Sequence, residues 1–342
     1  MKEMLNTLYI TTDECNLRLE NNGIMITEKD GDKKRVLGHT VDSIFCFGNI
    51  SITSPLLEYC CEHGITVSFF SKYGKFYGRA EGKPRGNVLL RQAQYSLIDG
   101  RNEKRTRAVR SMLTAKADNC RSTLLHFARN HGDISENVLQ ACERIRDLKA
   151  RLANTQDIDT MRGIEGNIAE AYFGAFDSML YAGAPEMRFE KRSRRPPQNR
   201  MNALLSYLYS LLTSDICSAA ESVGLDSAAG LMHSLRPGKP ALACDLAEEL
   251  RSPVCDRMAI AAVNTHMIRP EHFEQGEDGG IWLNREGKRT VLKEWQARKQ
   301  ALITHPETGE RIPAGLIPFC QAQLLARYVR GEADNYPAFQ WR

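Results

Sequence analysis

Hydrophobic and polar residues alternate in short runs over about the first eighty residues, and this period of two predicts β-strands. Leu17 and Leu19 belong to one such run, and Ile24 and Ile26 belong to the next. Residues 21–23 (Asn-Asn-Gly) separate the two runs and are typical of a tight turn. We therefore predict a small β domain at the start of the chain.

One helix is predicted inside this β region. Ser54 is suited to cap its first turn, Pro55 fits the first helical position, and Gly64 can end it. The runs at 66–70 and 75–78 then predict a closing hairpin.

The period changes after residues 83–86, which we interpret as a linker. Beyond them apolar residues recur every three or four positions, the period of amphipathic helices. A Gly-rich stretch at 271–290 is typical of a loop or short hairpin. The pattern predicts an α+β protein, with an N-terminal β domain over residues 1–82 and a larger all-α domain over 87–342 that ends in a flexible C-terminal tail. The predicted helices lie near 87–98, 101–130, 135–152, 157–176, 200–222, 240–264 and 290–303.

Composition restricts the class of protein. The chain has 342 residues, of which 42% are hydrophobic and 26% charged, as is typical of a folded protein with more than one core. No apolar run approaches the ~18 residues that cross a membrane, and the first residues do not resemble a signal peptide. The 10 cysteines include no CxxC pair, which favours reduced thiols over a disulfide framework or a zinc finger. We expect a cytoplasmic protein with no membrane partner.

Positive charge is concentrated in two stretches. Residues 83–110 hold eight basic and two acidic residues, and residues 188–200 hold six basic and one acidic, although the whole chain carries only +4. The remaining residues are therefore acidic in balance. This distribution indicates a polyanionic partner such as nucleic acid, with two solvated charged faces as the alternative.

A glutamate interrupts the apolar face of the helix predicted over 157–176. Glu165 shares that face with Ile168, Tyr172 and Phe176. A carboxylate on a buried face costs several kcal/mol unless a cation pairs with it. The cation is either a basic side chain or a metal ion, and the spacing leaves both open.

A second candidate group begins at His233, which precedes a loop at 236–240. Asp245 and Glu248 follow it on one face of a predicted helix, where they can converge on a single cation. One imidazole with two or three carboxylates suits Mg²⁺ or Mn²⁺ better than structural zinc. A lone histidine is more often an ordinary core or surface residue, and Glu249 is an alternative solvated member, so this segment alone leaves its role open.

The segment 191–212 combines a basic cluster, two prolines and an apolar helix. Arginines in a loop beside a helix are suited to bind phosphate, because each guanidinium can bind two oxygens. Asn202 and Tyr209 lie on the polar side of this helix, where they are either satisfied internally or line a site.

Three segments together resemble the CRISPR-associated integrases of spacer acquisition, the Cas1 family. They are GIEGNIAEAYF, RSRRPPQNRMNALLSYLYSLL and LMHSLRPGKPALACDLAEELRSPVCDR. The resemblance spans essentially the whole chain, and the C-terminal segment resembles the form found with subtype I-C systems. It implies a metal-dependent DNA endonuclease and integrase, which inserts short DNA fragments into a CRISPR repeat array by attack of a 3′-hydroxyl on a phosphodiester.

The resemblance also implies roles for individual residues. Glu165, His233 and Glu248 match the family's ligands for Mg²⁺ or Mn²⁺, and Asp245 is a supporting or alternative catalytic ligand. Tyr209 is expected to position DNA rather than to act as a nucleophile. The residues expected to contact DNA are Arg85, Arg91, Arg192, Arg194, Arg195, Tyr209, Arg236 and Lys239.

The partners implied by the resemblance are double-stranded DNA, from protospacer and repeat array, and a second copy of this chain. The homodimer is expected to form mainly through the β domain, and the small protein Cas2 is expected to bridge two dimers. Two rival functions use the same residues. One is a metal-dependent nuclease for branched DNA, and the other is a DNA-binding scaffold whose acidic residues are merely salt-bridged.

Overall fold

The structure, a computed structural model, describes residues 7–41, 43–72, 76–80, 82, 88–100, 102–130, 135–181 and 185–341. The chain divides into two compact units, which we call the β unit and the helical unit. The β unit comprises Met1–Arg85, Leu283–Ile303 and Arg311–Ile317, and the helical unit comprises Gly86–Trp282, Thr304–Glu310 and Pro318–Arg342.

Two four-stranded sheets form most of the β unit. Their strands are β1 (Thr7–Ile10), β2 (Cys15–Glu20), β3 (Gly23–Thr27), β4 (Lys33–Leu37), β5 (Ser43–Phe47), β6 (Ile50–Ile52), β7 (Thr66–Phe70) and β8 (Phe76–Ala80). The first sheet has the order β1-β5-β7-β8, with parallel pairs up to β7 and an antiparallel β8. The second has the order β4-β3-β2-β6, antiparallel except for the parallel pair of β2 and β6.

The alternating sequence pattern explains which side chains form the core of this unit. In β2, Cys15 and Leu17 are buried while Asn16 and Arg18 are exposed. The strand β5 is instead buried along its whole length, as is typical of parallel strands covered on both faces. Both patterns confirm the predicted N-terminal β structure.

Helix α1 (Ser54–His63) connects β6 to β7. Its cap residue is Thr53, so the prediction of Ser54 as the cap was wrong by one position. Pro55 lies in the first turn as predicted. Gly64 ends the helix with φ of 71°, a left-handed conformation that glycine adopts without steric cost.

Helices dominate the helical unit, which confirms the predicted change of period. They are α2 (Val88–Ile98), α3 (Glu103–Asn130), α4 (Glu136–Ala153), α5 (Ile158–Gly174), α6 (Arg200–Ser222), α7 (Ala241–Leu250), α8 (Arg257–Asn264) and α10 (Ile317–Arg330). A further helix, α9 (Arg285–Gln300), clusters with the β unit although we expected it in the helical domain. Short hairpins join β9 (Phe273–Gln275) to β10 (Ile281–Leu283) and β11 (Leu302–Thr304) to β12 (Arg311–Pro313).

The single helix predicted over 240–264 is interrupted. Residues Arg251–Asp256, between α7 and α8, have the wider hydrogen bonding of a π-helix. Pro253 accounts for the interruption, because it has no N–H to donate and its ring clashes with the preceding turn of an α-helix. Such π segments are frequent at functional sites.

The C-terminal tail is irregular as expected, but it is packed rather than flexible. Tyr336 and Phe339 are buried. The Tyr336 hydroxyl donates to Glu249 Oε1 at 2.5 Å, and the Phe339 amide donates to Glu249 Oε2 at 3.0 Å. A buried carboxylate therefore holds the tail on the helical unit. None of the described helices combines the length and apolarity that a membrane span requires.

Candidate active site

Two of the carboxylates expected to bind metal meet at one point in the helical unit. Lys116 Nζ donates to Glu248 Oε2 at 2.7 Å and makes a second, shorter hydrogen bond to Glu165 Oε1. Lys116 lies on α3, Glu165 on α5 and Glu248 on α7. The Lys116 and Glu248 side chains are 8% and 3% exposed, whereas the Glu165 side chain is 21% exposed. Three helices thus bring two acids and one base together at the edge of the core.

The sequence places Lys116 on the buried stripe of α3. Met112, Lys116, Asn119 and Thr123 recur at helical spacing, and all four are buried. Three of them are polar, so this stripe faces polar groups of the neighbouring helices rather than an apolar core. We did not predict Lys116 as a site residue, although a lysine on a buried stripe between two alanines was the available signal.

Two acidic and two basic side chains form this cluster, so its positive and negative charges balance. Arg251 Nη1 binds Glu248 Oε1, the oxygen that Lys116 does not contact. Burial alone would raise the pKa of Glu248, but Arg251 and Lys116 outweigh it and hold that pKa below its ordinary value. Burial likewise opposes the charge of Lys116, yet Glu248 and Glu165 raise its pKa above the ordinary value. The carboxylate of Glu248 and the ammonium are therefore both ionised near neutral pH.

Asp245 is placed to orient His233. Its carboxylate is fully buried and accepts hydrogen bonds from the amides of Leu231, Met232 and His233 at 2.6, 2.9 and 2.9 Å. Asp245 Oδ1 also lies 2.6 Å from His233 Nδ1. Since the carboxylate accepts, Nδ1 carries the proton, and the lone pair of the imidazole is on Nε2. The tautomer that can bind a metal through Nε2 is thereby fixed, as in many metal sites.

A glycine makes this arrangement possible. A Cβ atom at Gly230 would lie 2.9 Å from Asp245 Oδ2 and 2.8 Å from the carbonyl carbon of Ala241. The backbone ahead of His233 can therefore approach the carboxylate only without a side chain at position 230. Both Asp245 oxygens are occupied by N–H donors, which favours a supporting role for Asp245 over direct metal coordination.

The third expected ligand lies near the carboxylates. His233 is close enough to Glu248 to contribute to the lowering of its pKa. Among the residues that the structure describes, no three histidine, cysteine, aspartate or glutamate side chains are arranged to hold one metal ion. The cation between Glu165 and Glu248 is the Lys116 ammonium. The two carboxylates nevertheless suit a hard divalent ion, since they already converge on one cation, and His233 Nε2 would be the third donor.

A narrow cleft opens beside this cluster, with free space of about 20 Å³, roughly what one water molecule occupies. Tyr209 lines it and donates from its hydroxyl to Asp256 Oδ1 at 2.6 Å. Two guanidinium groups pack over the Tyr209 ring, with the Cζ atoms of Arg192 and Arg251 5.3 Å and 5.1 Å from its centroid. Burial, reinforced by Asp256, raises the pKa of Tyr209 well above its ordinary value. The phenol is thus a neutral donor and not a phenolate nucleophile.

The basic loop after residue 190 is anchored by one arginine and presents two others. Arg192 Nη1 donates to Asn202 Oδ1 at 2.7 Å and to the Ser193 carbonyl at 2.6 Å. Burial lowers the pKa of Arg192 to about 10. Arg192 is half-buried and held by the buried Asn202, whereas Arg194 and Arg195 are exposed. Arg194 also lines the cleft.

The remaining residues expected to contact DNA are spread over the chain. Arg236 is exposed and Lys239 is half-buried in the loop that follows His233. Arg91 is half-buried on α2, and Arg85 lies outside the described residues. The structure therefore brings Tyr209 and Arg194 to the carboxylate cluster but places Arg91 on a separate helix.

The alternative in which Glu249 is a solvated member of the acidic group was wrong. It is fully buried rather than solvated, and it binds the C-terminal tail. Burial raises the pKa of Glu249 to about 7, despite hydrogen bonds from Tyr336, Gln321 and Phe339.

The comparison with known proteins identifies the family. The family model described as CRISPR associated protein Cas1 matches residues 8–297. The Chlorobaculum tepidum protein named CRISPR-associated endonuclease Cas1 1 is 41% identical to this chain over 350 residues and covers 100% of both proteins. The chain belongs to the Cas1 family, which confirms the resemblance seen in its motifs.

Solved structures show the same fold. A casposase bound to integration product has a TM-score of 0.85 at 20% identity, over 98% of this chain and 94% of that chain. A Cas6-RT-Cas1–Cas2 complex has a TM-score of 0.83 at 22% identity, over 100% of this chain and 36% of that chain. At these identities the likeness concerns the fold alone, and it confirms the β-then-α architecture.

Proposed function

We propose that this protein is a metal-dependent DNA endonuclease and integrase that inserts spacers into a CRISPR repeat array. The observation that carries the proposal is the convergence of Glu165 and Glu248 on one buried cation, beside a histidine whose Nδ1 is held by Asp245. Two carboxylates and one imidazole nitrogen suit Mg²⁺ or Mn²⁺. The name of the Chlorobaculum relative, an endonuclease, supports nuclease chemistry.

Glu165, Glu248 and His233 Nε2 would hold the ion. When bound, such an ion polarises a phosphoryl oxygen and neutralises charge that develops in the transition state. Asp245 keeps the His233 lone pair on Nε2 throughout the reaction. No covalent protein nucleophile is required, because the attacking group in integration is the 3′-hydroxyl of the incoming DNA. This agrees with the neutral state of the Tyr209 phenol.

The cleft supplies cationic groups for a phosphate. Arg194 lines it from the exposed basic loop, and the buried Arg251 Nε has no hydrogen-bond partner among the described residues. A guanidinium donor of this kind binds a phosphate oxygen without selecting a base. Arg195 and Arg236 are also exposed, each on a loop, and are available to contact phosphates. Double-stranded DNA is therefore the proposed substrate.

The proposed partners follow from the family and from the two solved relatives. The casposase was solved with its integration product, and the other structure contains a Cas1–Cas2 assembly. We extend both to this chain and propose a homodimer formed mainly through the β unit, with Cas2 bridging two dimers.

Substituting Glu165→Gln or Glu248→Gln tests the proposal. We expect joining of a fragment with a free 3′-hydroxyl to repeat DNA to fall by about 10³-fold or more, because each variant loses one carboxylate ligand. DNA binding, measured by fluorescence anisotropy, is expected to stay within a factor of a few, since neither glutamate is among the residues expected to contact DNA. Glu170→Gln is the matched control for Glu165→Gln, because Glu170 lies exposed on the same helix and pairs with Arg144.

Two outcomes favour the rivals. If both glutamine variants join DNA as fast as the wild type, the acidic residues are structural and the protein is a DNA-binding scaffold. If a fragment with a blocked 3′ end is cut as efficiently as before and joined products never form from an unblocked fragment, the protein is a nuclease for branched DNA that uses water.

A further inference from the structure

Lys116 occupies the point at which the two proposed metal-binding carboxylates meet. Its Nζ lies 2.7 Å from Glu248 Oε2 and is also hydrogen-bonded to Glu165 Oε1. The side chain is nearly inaccessible to solvent, and it reaches this point from the buried stripe of α3. An ammonium in this position makes the contacts that a shared metal ion would make.

The charges of the cluster determine what happens when a divalent ion arrives. Glu165 and Glu248 carry two negative charges, and Lys116 and Arg251 carry two positive charges, so the cluster is neutral. A divalent ion added to these four groups would leave two uncompensated positive charges in a largely buried place. Uncompensated buried charge is strongly unfavourable. Withdrawal of one of the two cations when the ion binds would halve this excess of positive charge.

Lys116 is the cation that can withdraw. Arg251 binds Glu248 Oε1, the oxygen that does not face Glu165, and its guanidinium packs over the Tyr209 ring. It can stay in place while Glu165 Oε1 and Glu248 Oε2 accept another cation. Lys116 lies between those two oxygens, and a lysine is a point charge on a flexible stem that adopts other rotamers more readily than a stacked arginine does.

We propose that Lys116 is an internal competitor for the divalent ion, which cross-links Glu165 and Glu248 in the metal-free protein and leaves their shared position when the ion binds. This inference rests on the metal site of the proposed function. The ammonium keeps the two carboxylates facing one point without a metal, and thus preorganises the site. It also weakens metal binding, because only the fraction of molecules with a withdrawn lysine can accept the ion. Lys116 is therefore a positioning residue and not a catalytic one.

The test compares Mn²⁺ affinity among three variants of the full chain by isothermal titration calorimetry. In Lys116→Met the competitor is absent, and we expect the dissociation constant for Mn²⁺ to fall about tenfold. In Lys116→Arg the guanidinium can bind both carboxylates and stays between them. We therefore expect the dissociation constant for Mn²⁺ to rise by about as much. Lys149→Met is the control, because it removes an equal charge from an ion pair with Asp118 elsewhere in the helical unit, and its affinity should match the wild type.

If Lys116 only supported the fold, the Mn²⁺ affinities of the variants would rank differently. Its removal would disorder the carboxylates, so Lys116→Met would bind Mn²⁺ more weakly than the wild type, and that result would overturn the inference. If Lys116→Met does not fold, the arginine variant decides alone: weaker Mn²⁺ binding supports competition, and unchanged or tighter binding contradicts it. Equal affinity in all variants also contradicts it.

The metal site itself is checked in the same experiment by Glu165→Gln in the wild-type background. If the wild type binds Mn²⁺ and Glu165→Gln does not, the proposed metal site is confirmed. The Lys116 variants then report on competition alone. If the wild type, Lys116→Met and Glu165→Gln all fail to bind Mn²⁺, the proposed metal site and the competition are both wrong.

Discussion

Asp245 and Glu248 lie one helical turn apart on α7, but their carboxylates have different surroundings. Asp245 accepts three backbone N–H groups and faces His233 Nδ1, whereas Glu248 is held by Lys116 and Arg251. The sequence predicted that both acids converge on a cation, and it left open which of them binds the ion directly. Their different roles depend on how the loop before His233 folds back over α7. Residue spacing along one helix does not determine that fold.

Asp245→Asn tests the orienting role. The amide NH₂ of asparagine would face N–H donors, so His233 loses its fixed tautomer. We expect Mn²⁺ affinity to fall about 10- to 100-fold and stability to fall by about 1–3 kcal/mol. Calorimetric titration and thermal unfolding measure the two effects. Asp159→Asn is the control, because Asp159 is exposed on α5 beside Arg162. Wild-type affinity in Asp245→Asn would show that Asp245 does not act through His233.

Among the elements, the C-terminal tail packs on a buried acid of α7, Glu249. Glu249 accepts hydrogen bonds from Tyr336, Gln321 and the Phe339 amide. Burial raises the pKa of Glu249 from 4.5 to about 7. The folded protein therefore retains a proton on this group at pH values at which the unfolded chain has lost it. This contribution to stability is fully present below about pH 4.5 and is lost as the pH rises to about 7.

Glu249→Gln removes this titration. Between pH 5 and 8 we expect the free energy of unfolding of the wild type to fall relative to that of the variant by about 3 kcal/mol, since each pKa unit corresponds to about 1.4 kcal/mol. Urea unfolding at several pH values measures the difference. Parallel curves for the two proteins would mean that Glu249 is ionised equally in the folded and unfolded states.

The elements themselves were predictable where the sequence has a clear period. The strands around Leu17 and the long helix α3 follow directly from spacings of two and of three to four. The parallel pairing of β1, β5 and β7 was not predictable, because neighbours in a sheet are set by crossovers and not by local pattern. The burial of the tail was equally hidden, since its partner Glu249 is distant in sequence.

The sequence predicted which types of residue form the candidate site, but it did not predict how they are arranged in space. Glu165 lies on an apolar stripe, so the need for a cation followed from the sequence. The cation in this structure is Lys116, on a helix that lies outside the three segments that resemble the family. Only the packing of α3 against α5 and α7 brings the three charges together.

At the scale of the whole molecule, the charge distribution predicts how DNA binding depends on salt. Arg194 and Arg195 are exposed, and Arg194 lines the cleft, so each is expected to contact one phosphate. Replacing both by alanine should reduce the slope of log affinity against log salt by about 2 for any duplex sequence. The control replaces the exposed Arg144 and Arg146 on α4, and it should leave the slope near the wild-type value. An unchanged slope in the first variant would remove the basic loop from the DNA interface.

Anomalous scattering from manganese shows whether Glu165, His233 and Glu248 bind one divalent ion. Crystals grown with Mn²⁺ and a DNA duplex should show one anomalous peak bonded to both carboxylates and to His233 Nε2. The Lys116 ammonium should have left its position between Glu165 and Glu248. A map with no peak there, in which Lys116 still links the two carboxylates while Mn²⁺ binds elsewhere, would show that these three residues do not form the metal site.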